Sequence, residues 1–270
     1  MSQLRTVTKI QQQKKALHRY NIFLNDTYAF SVDEDILVQY HIHKGMELTE
    51  EAVKDITSHE DMHQSYVKAI HYLSYRMRSK QEVRNYLNQK EVTSTVREEI
   101  IARLEKEQLM DDLAFSEAFV RDRMNQTTKG PKLIMNELRE KGVDIETAKE
   151  ALTQYDEEQQ FTKAYKWAQK EAKKKSAHAV KKRQEQIANK LRQKGFASDV
   201  VSAVMSDIEI EVDEEEEYGR LEKQANTLRR RYEKKYEGYE LKMKLKAALY
   251  NRMFSRNLID EYIEKMDESS

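Results

Sequence analysis

The sequence contains no cysteine, a single proline and only six glycines among its 270 residues. Without cysteine the chain can form neither a disulfide bond nor a thiolate metal site. So few helix breakers disfavour a sheet-rich fold and favour long helices. No segment approaches the roughly 20 apolar residues of a membrane span, and the N-terminus has no signal-like apolar run. These absences predict a protein of the reducing cytoplasm that has no membrane partner.

Apolar residues are also scarce: 39% of the residues are hydrophobic and 36% are charged. Ordinary globular domains have roughly 45–50% and about 25%. A compact sphere of this length needs more apolar side chains to fill its interior, whereas a string of small units with shallow cores needs fewer. The composition therefore predicts an elongated array of small units.

The formal net charge is zero, yet the two signs are segregated along the chain. Acids dominate residues 33–61 and 207–217, and bases dominate residues 1–20, 163–194 and 220–252. A single charged run is usually a solvated helix face. Alternating blocks instead predict basic patches for phosphates and acidic patches for a basic protein surface. The densest positive cluster, and the best candidate for phosphate contacts, is Lys173, Lys174, Lys175, Lys181, Lys182 and Arg183.

The N-terminal segment has the alternation of a strand pair. Apolar residues alternate over 20–24 and 28–32, on either side of Asn25-Asp26-Thr27, which predicts a hairpin. Asp33 can cap a short helix, and Thr49 can start another. We therefore predict a small α/β module with a β-hairpin over residues 1–60.

The rest of the chain repeats. A leucine is followed by a basic residue three positions on and by an apolar residue five positions on, at Leu87, Leu138, Leu191 and Leu249, which lie 51, 53 and 58 residues apart. Periods of this size indicate stacked supersecondary units. Ser79 with Glu82 predicts a capping box, and Gly142 and Gly195 are natural helix ends. The predicted fold class is mainly α, with tandem three-helix repeats at residues 61–109, 110–155, 156–208 and 209–270.

One catalytic pattern is present, because residues 59–63 spell H-E-x-x-H. In zinc enzymes the two histidines share a helix face and the glutamate is the base. A catalytic zinc also needs a third ligand and a dry cavity, and the flanks here are polar. We interpret the motif as a solvated helix face. Since no phosphate-binding loop or nucleophile–base constellation is found either, we predict a protein that is not an enzyme and holds no metal or cofactor.

Two longer segments resemble the RecX family, regulators of the RecA recombinase. The first runs from Leu73 to Leu87, and the second runs from Asp111 to Arg123 and continues through Lys129-Gly130-Pro131 to Gly142. The resemblance implies a curved helical protein that binds within the groove of the RecA–DNA filament. There it would inhibit nucleotide hydrolysis, strand exchange and filament growth. It implies RecA and single- or double-stranded DNA as partners, a monomeric cytoplasmic protein, and a place in DNA repair and the SOS response.

Two pairs of arginines match the family's motif, Arg76 with Arg78 and Arg121 with Arg123. A guanidinium group pairs bidentately with phosphates and with carboxylates alike, so these residues are candidates for binding either DNA or protein. The alternative is that they pair with acidic side chains of the chain itself.

Aromatic residues in these segments and beyond them are interpreted as core rather than as base-stacking groups: Tyr72, Phe115, Phe119, Tyr165 and Trp167. Two functional hypotheses remain. One is a modulator of recombinase filaments, and the other is a general nucleic-acid-binding helical scaffold without a specific recombinase partner. Binding to bare single-stranded DNA, compared with binding to a preformed filament, separates them.

Overall fold

The structure is a computed structural model that describes residues 4–174, 176–209 and 213–268. Within these residues the protein is mainly helical, with a small sheet near the N-terminus. The strands are β1 (Arg5–Gln12), β2 (Arg19–Leu24), β3 (Thr27–Asp33) and β4 (Glu47–Leu48). The helices are α1 (Glu34–Gln39), α2 (Glu50–Ser74), α3 (Lys80–Gln89), α4 (Ser94–Lys106), α5 (Asp112–Gln126), α6 (Pro131–Glu140), α7 (Ile145–Leu152), α8 (Glu157–Ala172), α9 (Val180–Gln193), α10 (Ser198–Asp207), α11 (Glu214–Tyr232), α12 (Gly238–Asn251) and α13 (Arg256–Glu268).

The chain forms two compact units. The first comprises Met1–Phe115 and Lys141–Asp144, and the second comprises Ser116–Glu140 and Ile145–Ser270. The predicted boundary at residue 60 falls inside the continuous helix α2. The division into a module and four repeats with the stated bounds stays a prediction.

The sheet of the first unit is antiparallel, with the strand order β3-β2-β1-β4. Asn25 and Asp26 connect β2 to β3 with φ angles of 48° and 64°, and such a two-residue left-handed loop matches the twist of the paired strands. Alternate side chains of the sheet, including Ile22 and Val32, are buried against Ile36 of α1 and against α2. The predicted hairpin is confirmed, and Asp33 caps α1 by accepting a hydrogen bond from the Asp35 N–H.

The helices that follow come in threes, and the second helix of each set carries the repeated leucine. Leu87, Leu138, Leu191 and Leu249 are all 0% exposed, and each lies on the buried face of its helix. Ser79 and Glu82 form the predicted capping box at the start of α3. The three-helix repeat is therefore confirmed as the basis of the fold.

Each second helix ends in the same left-handed turn. Four positions after the leucine stand Glu91, Gly142, Gly195 and Met253, with φ angles of 62°, 77°, 90° and 67°. The amide of the next residue reaches back to the leucine carbonyl in three of the turns, at Val92, Phe196 and Phe254. This bond between residues five apart is the one that closes a Schellman motif. The apolar residue five positions after the leucine thus follows the turn and enters the core.

Two of these turns also receive the start of another second helix. In the first unit the Ser79 hydroxyl donates to the Lys141 carbonyl at 2.6 Å, beside Gly142. In the second unit the Gly130 amide donates to the Lys194 carbonyl at 2.7 Å, and the Lys132 amide donates to the Gly195 carbonyl at 3.1 Å. The carbonyls that a helix leaves unpaired at its end are satisfied here by the start of the second helix of the preceding repeat.

Side chains replace this backbone contact at the start of α9. The Val180 amide donates to Glu217 at 2.9 Å, and Gln224 bonds both the Ala177 carbonyl and the Arg252 side chain. The fourth turn, which has Met253 in place of glycine, is thus joined through Gln224 rather than through its backbone.

We expect Gly130→Ala to destabilise the second unit by about 1–3 kcal/mol, the usual cost of overpacking. The added Cβ would lie 2.5 Å from backbone atoms of Gly195 and Phe196, which cannot move without breaking the bonds at this joint. Gly219→Ala is the control, because its Cβ meets nothing within 4 Å. That change should stabilise α11 by up to about 1 kcal/mol. Urea unfolding followed by circular dichroism measures both, and equal effects would contradict the close approach.

Candidate partner-binding surface

The H-E-x-x-H segment lies on α2 against the junction of β3 and α1. Glu60 is 5% exposed, and it accepts the Asp33 N–H at 2.7 Å and pairs with Arg19 at 2.9 Å. The interpretation of a solvated face was therefore wrong for Glu60. The physical reason is that the part-buried Asp33 amide at the end of β3 needs an acceptor. Glu60 has the role of holding α2 to the sheet.

The two histidines of the motif turn to different partners. His59 Nδ1 lies 2.7 Å from the Tyr40 hydroxyl, whereas His63 Nε2 lies 3.6 Å from Asp33 and 3.9 Å from Asp35. The ligand atoms of Asp33, Asp35 and His63 lie within 4.8 Å of one another, and His59 is not part of the group. The His63 ring faces two carboxylates whereas His59 contacts Tyr40, so the two histidines of the motif do not belong to one group of ligands.

Arg76 in the first unit is held by Glu82. Its two terminal nitrogens reach the two oxygens of Glu82 at 3.3 and 2.9 Å, and Glu82 also binds Lys141 and the Ser79 N–H. Burial alone would raise the pKa of Glu82, but the hydrogen bonds from Arg76, Lys141 and Ser79 outweigh it and lower the pKa to about 2. Glu82 thus joins the Arg76 loop, the cap of α3 and the Lys141 turn.

Arg78 is held by aromatic stacking instead. Its guanidinium carbon lies 4.1 Å from the centroid of Tyr72, and the Tyr72 ring stacks on Tyr86 at 4.1 Å with an interplanar angle of 3°. The ammonium of Lys90 lies 5.6 Å from the centre of the Tyr86 ring. The alternation of cation, two rings and cation fixes Arg78 on the first unit.

The two arginines of α5 differ in availability. Arg123 bonds Glu137 at 2.6 Å and Asp122 at 2.9 Å, and it stacks over Phe119 at 4.3 Å. Arg121 has a side chain that is 56% exposed, with Glu117 at 3.8 Å and Gln154 at 3.5 Å. The Arg121 side chain is more exposed than those of Arg76 and Arg123, which are 47% and 27% exposed.

The basic cluster of the third repeat separates into exposed and occupied groups. Lys173 and Lys181 are exposed, and no partner of either is found among the described residues. Lys174 pairs with Glu171, and Lys182 pairs with Glu185 at 2.6 Å. Lys175 lies outside the described residues.

Arg183 is 8% exposed and donates to the carbonyls of Ala172 and Lys174, where it satisfies the end of α8. Burial lowers the pKa of its guanidinium from the ordinary value. Because its donors are turned inward onto backbone, we remove Arg183 from the set of candidate partner contacts. Because Arg183 lies within a run of basic residues, the sequence did not indicate that it is buried.

A second basic surface lies at the end of α11, in the fourth repeat. None of its residues is among the partner contacts predicted from the sequence. Four exposed cations stand there without an ion-pair partner in the described part of the chain: Arg230, Arg231, Lys234 and Lys235. In the sequence these four residues belong to the basic stretch at 220–252. That stretch also contains Arg220, whose guanidinium pairs with Glu216 and Glu217, so charge alone does not identify the unpaired cations.

The fold and these surfaces define a class of protein, one built from tandem three-helix repeats that presents basic groups on helix faces. None of the helices in the described ranges combines the length and the hydropathy needed to cross a bilayer. Three family models match the chain in succession. They describe the N-terminal domain of regulatory protein RecX at residues 5–49, the first three-helix domain of RecX at 66–104 and the second at 111–152.

Whole-chain comparisons agree. The regulatory protein RecX of Oceanobacillus iheyensis is 43% identical over 267 residues, which cover 97% of this chain and 98% of that protein. The regulatory protein RecX of Bacillus subtilis is 39% identical over 260 residues, with 96% and 98% covered. A crystal structure of a regulatory protein RecX matches with a TM-score of 0.69 and 32% identity, covering 75% of this chain and 100% of that one. RecX from Lactobacillus salivarius matches with a TM-score of 0.53 and 33% identity, covering 54% and 96%. The chain belongs to the RecX family of regulatory proteins.

The bonds of Glu82 predict a pH-dependent contribution to stability. The folded pKa of about 2 lies below the ordinary value of 4.5, so the contribution is present above pH 4.5 and is lost as the pH falls towards 2. Glu82→Gln, which can still act in the capping box, should cost roughly 1–3 kcal/mol at pH 7. The difference from the unchanged protein should shrink between pH 4.5 and 2, as measured by urea unfolding. The exposed Glu99→Gln is the control and should leave the free energy of unfolding unchanged; a pH-independent deficit at Glu82 would contradict the assignment.

Proposed function

We propose that this protein is a non-enzymatic regulator that binds the RecA–DNA filament and mainly inhibits the recombinase in DNA repair and recombination. The observation that carries the proposal is the similarity to regulatory proteins named RecX over nearly the whole chain. In this proposal the protein acts in the cytoplasm as a monomer, and its partners are the RecA filament and single- or double-stranded DNA. The engagement of Glu60 with Arg19 and the sheet supports a role without catalysis by the H-E-x-x-H segment.

The distribution of available cations supports the DNA part of the proposal. Exposed ammonium groups bind phosphates as point charges and need little geometric definition. Lys173 and Lys181 of the third repeat fit that role, as do the basic residues at the end of α11. On an open helix face, a paired group such as Lys182 has its charge offset by a neighbouring carboxylate. We therefore assign the phosphate contacts on the exposed helix faces to the unpaired set.

Arg121 is the proposed contact among the motif arginines. Its exposed guanidinium can form a bidentate pair with a carboxylate of the recombinase or with a phosphate. Arg76, Arg78 and Arg123 are assigned a supporting role, because each is held by partners within the chain.

The alternative is a general nucleic-acid-binding scaffold, which the unpaired cations of the second unit also favour. The two functions differ in what the protein prefers. A regulator of filaments should bind a preformed RecA filament more tightly than bare single-stranded DNA at the same salt concentration. A scaffold should bind both equally, and that result would exclude the proposed function.

Arg121→Gln and Arg123→Gln should have opposite effects. Removing Arg121 should change the free energy of unfolding by less than about 0.5 kcal/mol, because its ion pair is exposed, but it should weaken filament binding. Removing Arg123 should cost about 1–3 kcal/mol of stability, because Glu137 loses a part-buried partner and Phe119 loses its stacked cation. Co-sedimentation with filaments and urea unfolding measure the two effects. Unchanged filament binding by the Arg121 variant would remove that residue from the proposed contacts.

A double change of Lys173 and Lys181 to Gln tests the phosphate contacts. Each lost contact should reduce the log–log salt dependence by about 0.7 on single-stranded DNA, so the slope should fall by up to about 1.4. Filament binding should weaken but survive if other residues contact RecA. Lys14 and Lys15 are exposed lysines of the first unit, and changing both to Gln is the control. An unchanged slope in the Lys173 and Lys181 variant would show that these lysines do not contact phosphates and serve only the solubility of the protein.

A further inference from the structure

The second unit contains a cleft with an indole ring at its side. Helix α8, the end of α9 and the segment around the start of α6 border an open cleft of about 580 Å³, a size within the range of about 300–1,000 Å³ typical of small-molecule sites. Trp167 of α8 lines the cleft, and it is the only tryptophan in the chain. Its side chain is partly buried rather than enclosed in the core, which corrects the interpretation made from the sequence.

A cation occupies the face of this ring. The Lys194 ammonium lies 5.0 Å from the Trp167 centroid, in the geometry of a cation–π contact. Lys194 is the last residue before the left-handed Gly195, and its carbonyl accepts the Gly130 amide. The turn therefore fixes the backbone of Lys194 beside the ring, and the ammonium group is held there only by the contact with the ring. An aromatic base can take the place of the ammonium group on the indole, because base–aromatic stacking tolerates any base.

The charges around the cleft favour an anion. Lys129, Lys174, Lys190 and Lys194 line it together with one carboxylate, Glu171. Hydrogen bonds from Lys174 and Lys190 lower the pKa of Glu171, so that it stays ionised and holds the two ammonium groups together, with Lys190 at 3.2 Å. Each ammonium group has three donors, and one pairing with Glu171 leaves two for another ligand. Lys129 also lines the cleft, but its ammonium group pairs with Glu137, which does not line it. Lys174 and Lys190 meet at Glu171 inside the cleft, so we assign the anion to these two lysines and to Lys194.

We propose that this cleft binds a nucleotide, with the base stacked on Trp167 and the phosphate held by Lys174, Lys190 and Lys194. An indole face next to convergent ammonium groups matches the two halves of a nucleoside phosphate, one flat and apolar and the other anionic. The nucleotide is either free or one unit of a DNA strand. The second case rests on the proposed function, because it requires the protein to meet DNA, whereas the first case does not.

A purely structural role for the same residues makes a different prediction. The contact of Lys194 with Trp167 would then only stabilise the joint at Gly130, and the cleft would contain solvent. In that case no nucleotide would alter the environment of Trp167, and changing the lysines would affect stability alone.

The single tryptophan makes the test direct, because all indole fluorescence of the full chain comes from one site. We would titrate the protein with thymidine, thymidine monophosphate, inorganic phosphate and an oligothymidylate. Saturable quenching by the monophosphate or by the oligonucleotide is expected, with weaker quenching by thymidine and with inorganic phosphate competing. Tight binding of the monophosphate identifies the free nucleotide as the ligand, and tight binding of the oligonucleotide alone identifies the strand. No saturable change with either would overturn the proposal.

Lysine variants separate a specific site from general attraction to a basic surface. The double variant Lys190→Gln, Lys194→Gln should weaken nucleotide binding by about tenfold or more, since it removes two charge-assisted contacts. The matched control is Lys166→Gln, Lys170→Gln, which removes two exposed lysines of α8 that do not line the cleft and should leave the affinity unchanged. Equal losses of affinity in both variants would show that nucleotides are attracted by the basic surface in general and not by a specific site, which would contradict the proposal.

Trp167→Leu should weaken the binding of a labelled oligonucleotide by roughly 5- to 150-fold, the factor that corresponds to the loss of one stacked base. The fluorescence anisotropy of the oligonucleotide measures this affinity, and co-sedimentation measures binding to RecA filaments separately. If filament binding persists while no nucleotide affects Trp167 in the unchanged protein, the cleft proposal fails and the proposed function stands. If the unchanged protein does not bind filaments but binds the monophosphate, the proposed function fails and the cleft proposal stands.

Discussion

The left-handed turn after the second helix of each repeat is the constraint on which the rest of the structure depends. It ends the helix, directs the following apolar residue into the core and exposes carbonyls that another segment can bind. At Gly142 and Gly195 the turn also needs space, because a Cβ there would lie within 3 Å of Gln81 and of Leu133, respectively. Glycine is therefore required twice over, for its φ angle and for the close approach. At Met253 the left-handed φ persists without glycine.

The same joints position the charged groups. The Glu82 cluster gathers Arg76 and Lys141 at the first joint, and Lys194 at the second joint lies over Trp167. A chain with equal numbers of acids and bases can thus neutralise many of its charges locally and still present a few unpaired cations. The unpaired ones, rather than the densest run, are the groups that a polyanion meets at no cost in broken ion pairs.

This distinction bears on the two candidate functions. Cations on exposed helix faces give affinity that falls with salt and carries little sequence information. The proposed cleft would add recognition of a nucleotide as such. In the proposed function the partner is a protein filament that carries DNA, and Arg121 would contact either component.

Periodicity made the repeats, the hairpin, the capping box and the left-handed stops at Gly142 and Gly195 predictable from the sequence, because each depends on residues close together in the chain. The motifs around Arg76 and Arg121 indicated the family for the same reason. Only the tertiary structure determined which side chains are buried, which are paired and which line a cleft. Arg183 is buried on the end of α8, Glu60 is bound to Arg19, and Trp167 lines a cleft, although local sequence suggested otherwise. Partners for these groups lie outside the helix that carries each of them, from 9 residues away for Arg183 to 41 for Glu60, and only folding determines which of them are close enough to pair.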